Sequence, residues 1–366
     1  MLQRLVLPFA LAVALAGLGC ASAQSSAPRR SASVPSPSDP RSASAPTTSA
    51  PAEPAPSAPG PGAQPVPEVS PLRFERELEV EVRSIGLGER RMAALADEPW
   101  VKDRGDWKRV PIPAAYRPGA GERDEARIFF GRDDRPRLMG TRRRAGGEPD
   151  RIVYLRLKPE GWQPALYEIG RLGSPTLPGG MFGVLGHADP EVVCKVGDVC
   201  IIKRRTGWTT VDSGPGEAAV KLCGSEAWGL YPDALARMTN AGWQRLPGSV
   251  PWRQPTGFWA VDESDIWVSE ASAGKLFHYD GQTWTEHVAV IAGPRELWAS
   301  AADDLWLVGE GGSAHFDGHK WARVKGLPGP LTQIEGSSAS DVWVGGGAGL
   351  WHGTPLQHAT EPGTGE

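Results

Sequence analysis

The chain of 366 residues lacks a surplus of either charge: 39 Lys and Arg stand against 43 Asp and Glu, a net of −4. A nucleic-acid groove needs a basic surplus, so neutrality speaks against that class of partner. Cysteine is scarce, with four in all, and tryptophan is absent from the first 99 residues although fifteen follow. The apolar stretch Leu5–Gly19 holds fifteen residues, short of the about 20 that span a bilayer as a helix. The chain has no His-Glu-x-x-His, no paired Cys-x-x-Cys, no Walker-type loop and no Gly-x-Ser-x-Gly. These absences remove the recognisable zinc, phosphate-cradle and nucleophile-elbow chemistries. No cofactor and no metal site is expected.

What is present falls into segments. Arg4 and the apolar run behind it match the n- and h-regions of a secretory signal peptide, which places residues 1–23 in a leader. Two processing readings compete. Gly17-Leu18-Gly19-Cys20 resembles a bacterial lipobox, which makes Cys20 the lipid attachment site, although Gly17 stands where Leu is usual. Ala21-Ser22-Ala23 is an ordinary signal-peptidase site. The next cysteine lies 174 residues on, which favours lipidation. Residues 24–72 are Pro, Ala and Ser, with thirteen Pro between Pro28 and Pro71 and no aromatic residue. Such a segment buries too little apolar area to offset its ordering entropy, so a disordered, semi-extended tether is expected there.

The remainder repeats. Asp265-Ile-Trp267, Asp304-Leu-Trp306 and Asp341-Val-Trp343 recur at spacings of 39 and 37. His278, His315 and His352 recur at 37, and so do Trp284 and Trp321. Each unit holds four short runs of aromatic and β-branched residues separated by Gly, Asp and Ser. That is the signature of a four-stranded antiparallel blade of a β-propeller. The repeat Asp is expected to accept turn amides, and Asp280-Gly281 and Asp317-Gly318 to form tight turns before the fourth strand. Worn copies run back to Arg127. The last copy stops after its third strand, at Gly353, while Trp107–Pro111 reads as an orphan fourth strand that closes the ring. This gives an all-β fold, a six-bladed β-propeller over 106–353, with five or seven blades as alternatives. Residues 73–105 are expected to decorate the ring, with an edge strand at Leu78–Val82 and a short helix over Arg90–Asp97. Residues 354–366 are expected to be a disordered tail.

The Asp-x-Trp and Tyr/Phe-Asp-Gly-x-x-Trp units resemble the Trp-rich propeller repeats of secreted and lipid-anchored proteins of myxobacterial type. The resemblance covers roughly 106–353 and is carried by the last three units. Asp-Gly-x-x-Trp also resembles the Asp-box turn of sialidase-type propellers, departing from it in that Asp280 and Asp317 directly precede Gly. Those boxes are turns, so no catalytic residue carries over. The resemblance implies a propeller of the cell envelope.

Candidate site residues are few. The three spaced His occupy one strand position in successive blades, so they cannot share an ion. Asp262, Glu263, Asp303 and Glu335 lie near first-strand ends, but nothing in the sequence singles out any of them as a general acid, and no catalytic residue is assigned. Trp259 and Trp298, on first strands, are candidate binding residues for a sugar or peptide. Cys194, Cys200 and Cys223 allow one disulfide. A three-residue loop sets Cys194 opposite Cys200, a two-residue turn sends them to opposite faces, and Cys223 is the other partner. The reading is an exported, tethered, monomeric propeller with a non-catalytic binding role. Its partner is an envelope protein or glycan, and its membrane contact is the lipid anchor at Cys20. It lies at the outer membrane, in the periplasm or on the cell surface, or is secreted if Cys20 is unmodified. Alternatives are a propeller glycosidase or lyase with its site at the channel mouth, and a structural scaffold.

Overall fold

A computed structural model describes residues 66–118, 123–131, 133–143, 151–164, 181–184, 192–196, 199–204, 207–212, 219–223, 226–239 and 242–356. At 123–125, 141–143, 151–152, 181–212, 219 and 222 the description extends to the backbone alone. The leader, Cys20, the tether to residue 65 and the tail from 357 lie outside the described residues.

The first described elements are β1 (Glu68–Val69) and β2 (Arg73–Leu78), which pair far ahead in sequence. Blade 1 follows, with β3 (Ser84–Leu87), β4 (Arg91–Leu95), β5 (Pro99–Asp103) and β6 (Trp107–Arg109). Blade 2 is β7 (Arg123–Phe130), β8 (Pro136–Arg143), β9 (Arg151–Lys158) and β10 (Gly161–Pro164). Blade 3 is β11 (Met181–Val184), β12 (Val192–Val196), β13 (Val199–Arg204) and β14 (Gly207–Asp212). Blade 4 is β15 (Ala219–Cys223), β16 (Glu226–Tyr231), β17 (Ala234–Thr239) and β18 (Gly242–Arg245). Blade 5 is β19 (Gly257–Asp262), β20 (Asp265–Glu270), β21 (Lys275–Tyr279) and β22 (Trp284–Val288). Blade 6 is β23 (Pro294–Ala301), β24 (Asp304–Gly309), β25 (Gly312–Phe316) and β26 (Trp321–Val324). Blade 7 is β27 (Leu331–Ser338), β28 (Asp341–Gly346) and β29 (Gly349–Thr354), with β2 as its outer strand.

The β-propeller class stands. Six of its sheets have four antiparallel strands, and blade 6 adds β1 in parallel to its own four. Among the described residues the sheets number seven, the upper of the alternatives the repeat allowed. The innermost strands β3, β7, β11, β15, β19, β23 and β27 follow one another, and β27 packs on β3 to close the ring.

Closure works as the orphan-strand logic requires, but with a different strand. Arg73–Leu78 pairs antiparallel with β29, whereas Trp107–Arg109 is the fourth strand of blade 1. Residues 84–109 are thus a blade and not a decoration. Arg91–Leu95 is a strand and not a helix, because Ala93, Ala94 and Leu95 are buried between sheets. The edge strand near Leu78 ends at Leu78 instead of beginning there. Blade 1 escaped notice because small Ala residues replace the Trp of its second strand. Glu77 of β2 accepts hydrogen bonds from Lys102 Nζ at 2.6 Å and Trp107 Nε1 at 3.0 Å, which ties the closing strand to blade 1.

The repeat residues hold each blade together. Trp267, Trp306 and Trp343 are buried, and each donates its Nε1–H to the Asp two residues before it, at 3.1, 3.2 and 2.9 Å. The same carboxylates meet His278, His315 and His352 Nε2 at 2.9, 2.7 and 2.7 Å. Each of these His rings packs against the Trp of its own blade, with centroids 4.2, 4.7 and 3.8 Å apart. The repeat Asp therefore serves as a clasp between strands rather than a cap on turn amides. Turn amides are capped instead by Asp280, which accepts from Gln282 N and Thr283 N, and by Asp317, which accepts from His319 N and Lys320 N. Gly281 and Gly318 follow at φ +89° and +85°, a conformation that costs glycine nothing.

Candidate functional site in the central channel

Register aligns the innermost strands of blades 4 to 7. Lys221, Trp259, Trp298 and Glu335 sit opposite Trp228, Trp267, Trp306 and Trp343 respectively, one equivalent position on four successive blades. Two residues earlier on blades 5, 6 and 7 stand Gly257, Glu296 and Gln333. Residues i and i+2 of a strand share a face at about 7 Å, so these positions form two tiers along the innermost strands.

Two long cationic side chains from other blades end on the earlier tier. Lys221 of blade 4 passes blade 5, with Nζ 4.9 Å from the Trp259 ring centroid. It ends on blade 6, 2.7 Å from both Glu296 Oε1 and the Leu297 carbonyl. On blade 5, β19 lies tight against β23: a Cβ on Gly257 would meet the Arg295 carbonyl at 1.9 Å. From the other direction Arg127 of blade 2 donates Nη1–H to Gln333 Oε1 of blade 7 at 3.0 Å. Glu296 and Gln333 are equivalent residues of neighbouring blades, so both cations end on the same tier.

Glu335 completes the cluster. Burial pushes its carboxyl up to about 7; Lys221 and Arg127 draw it back, and Glu296 adds to the rise. Burial works against the Lys221 ammonium, yet Glu296 and Glu335 more than offset it, and its pKa lies above the ordinary lysine value. The cluster thus holds one fixed ion pair, one exposed guanidinium and one carboxyl poised to titrate near neutrality. Perturbed carboxyls of this kind concentrate at functional sites.

The expected site residues separate. Trp259 and Trp298 are brought together, with centroids 6.2 Å apart, but they are 7% and 4% exposed and belong to the hydrophobic core. Of the four first-strand carboxylates, Glu335 alone enters the cluster. Asp262 caps Ser264, and Glu263 pairs with Arg237. The three His remain with their own blades, and among the described residues no group of three His, Cys, Asp or Glu is placed to hold a metal ion. Cys223 is a free, buried thiol whose pKa burial pushes up to about 12. Val196 pairs with Val199, the two-residue-turn register, which sets Cys194 opposite Ile201 and Cys200 opposite Lys195. Their side chains lie outside the described residues. Lys221, Glu296 and Arg127 were not anticipated. Aligning Lys221-Leu-Cys, Phe258-Trp259-Ala, Leu297-Trp298-Ala and Ile334-Glu335-Gly by strand register would have exposed the break from Trp to Lys and Glu. A cleft of 390 Å³ borders blade 1. Its Glu98 is already taken by Ile112 N and Arg117.

No protein-family model matches the chain, and no curated protein matches it. Solved structures do share the fold, and they are β-propeller proteins. A streptogramin B lyase is 14% identical with a TM-score of 0.55, over 78% of this chain and 98% of that one. YCF48 bound to a D1 peptide is 13% identical with a TM-score of 0.57, over 80% and 97%. YCF48 from Cyanidioschyzon merolae is 16% identical with a TM-score of 0.54, over 77% and 98%. At these identities the likeness shows the fold alone.

Proposed function

We propose that the chain is an exported β-propeller, lipid-anchored through Cys20, that binds an envelope protein or glycan at the mouth of its central channel. The leader and the Pro-rich tether support the location. The convergence of charged side chains from blades 2, 4, 6 and 7 on one channel supports the binding role and carries the reading. Fold likeness does not choose between binding and catalysis, since one similar propeller is a lyase and another holds a peptide.

The cluster favours binding because Glu296 is committed to Lys221 at 2.7 Å. Hydrolysis by two carboxylates needs both of them turned to the substrate. Glu335, with its pKa near 7, supports a glycosidase or lyase as the second reading. Calorimetric titration of the full chain with defined envelope glycan fragments, with mass spectrometry of the mixture afterwards, separates the two. Saturable heat with intact ligand supports binding. Cleaved or eliminated product establishes the enzyme. No heat with any fragment removes the glycan half of the proposal.

A further inference from the structure

The unused hydrogen-bonding capacity of the cluster selects a ligand. Lys221 and Glu296 satisfy and neutralise one another. Arg127 is exposed and spends one N–H on Gln333, and most of its donor fork is open among the described residues. Glu335 lies two residues beyond Gln333 on β27, on the same face, and has no hydrogen-bond partner among the described residues. An open guanidinium beside an unpartnered carboxyl fits a ligand that presents a carboxylate and a neighbouring hydroxyl. Trp259 and Trp298 are nearly closed to solvent, so neither indole offers a face to a peptide side chain. A sugar acid needs no such face.

On these grounds we infer that the channel mouth is a binding site for uronic-acid-bearing glycans, with Arg127 gripping the sugar carboxylate and Glu335 hydrogen-bonding an adjacent hydroxyl. The inference rests on the binding reading above and gives it a ligand class.

The charges that face Glu335 are Lys221 from β15, Glu296 from β23 and Arg127 from β7. With Glu335 protonated, the cluster carries the single positive charge of Arg127. Once Glu335 ionises that charge is cancelled, and a second carboxylate stands beside the ligand. Affinity for an acidic sugar therefore falls as pH rises through about 7.

The test titrates the full chain with tetragalacturonate, with the neutral cellotetraose and with a short peptide bearing a free C-terminal carboxylate, at pH 6 and pH 8.5. Tetragalacturonate is expected to bind, and about tenfold more weakly at the higher pH. Arg127→Met is expected to weaken that binding about tenfold or more. Glu335→Gln is expected to flatten the pH dependence whatever its affinity at pH 6. Arg127 is exposed, so folding of its variant is not at issue, and the slope of Glu335→Gln gives an independent reading. Equal binding of cellotetraose overturns the uronic-acid assignment and leaves the glycan reading standing. Binding of the peptide instead overturns the sugar class. Binding of none of the three overturns both.

Discussion

Lys221 Nζ lies 2.7 Å from Glu296 Oε1 although the two residues belong to blades that are not neighbours. A lysine on the inner strand of blade 4 reaches past blade 5 and is held on blade 6 by a carboxylate and a carbonyl. The pair is 15% and 21% exposed, so it is partly desolvated, and removing one partner leaves a charge in a poor solvent. Lys221→Met should destabilise the propeller by about 2–3 kcal/mol, below the 3–5 kcal/mol of a fully dry pair. Lys221→Met with Glu296→Gln should recover part of the loss. Urea unfolding of the single and double variants measures both, and equal stability of Lys221→Met and the parent would contradict the bridge.

Glu335 gives the fold a pH signature. Its carboxyl is raised from 4.5 to about 7 in the folded state. Between those values the unfolded chain loses its proton first, so stability falls as pH rises from about 4.5 to about 7 and is level above that. Glu335→Gln should abolish this component. Melting temperatures of the parent and variant at intervals from pH 4.5 to pH 8 test it, and curves that stay parallel throughout would refute the shift.

Cys223 should be silent in the native state. The thiol is buried and its pKa stands at about 12, so almost no thiolate exists at pH 8. A disulfide-exchange reagent should leave it unmodified until denaturant is added. Modification within seconds in native buffer would place the thiol at the surface.

The anchor is tested by labelling. Palmitate should be incorporated into the parent chain in a bacterial host that processes lipoproteins and should be absent from Cys20→Ala. Label that persists in the variant would sink the assignment to Cys20.

The sequence announced the fold through its side-chain clasps. Asp265, Trp267 and His278 recur at fixed spacing because each blade uses the same three groups to pin its second strand to its third. Blade 1 carries no such clasp and holds its place with Ala93, Ala94 and Glu77 contacts, so it left no spacing to find. The closing strand Arg73–Leu78 was hidden for the related reason that outer strands are read by their partner's edge and not by their own pattern. The site was less legible. Its residues are single departures from the repeat, Lys221 and Glu335 where Trp259 and Trp298 stand in the intervening blades. They become visible only once strand register shows that the positions are equivalent. Arg127 gave no sign at all, since its role depends on Gln333 more than 200 residues away.

The central claim is that the channel cluster receives a ligand. Hydrogen exchange of the full chain, with and without a saturating acidic envelope glycan, addresses it most directly. Added protection is expected at residues 219–223, 294–298 and 331–335, the inner strands that carry Lys221, Glu296 and Glu335. Protection confined to the outer strands at 242–245, 284–288 and 321–324, with the inner strands unchanged, would contradict it.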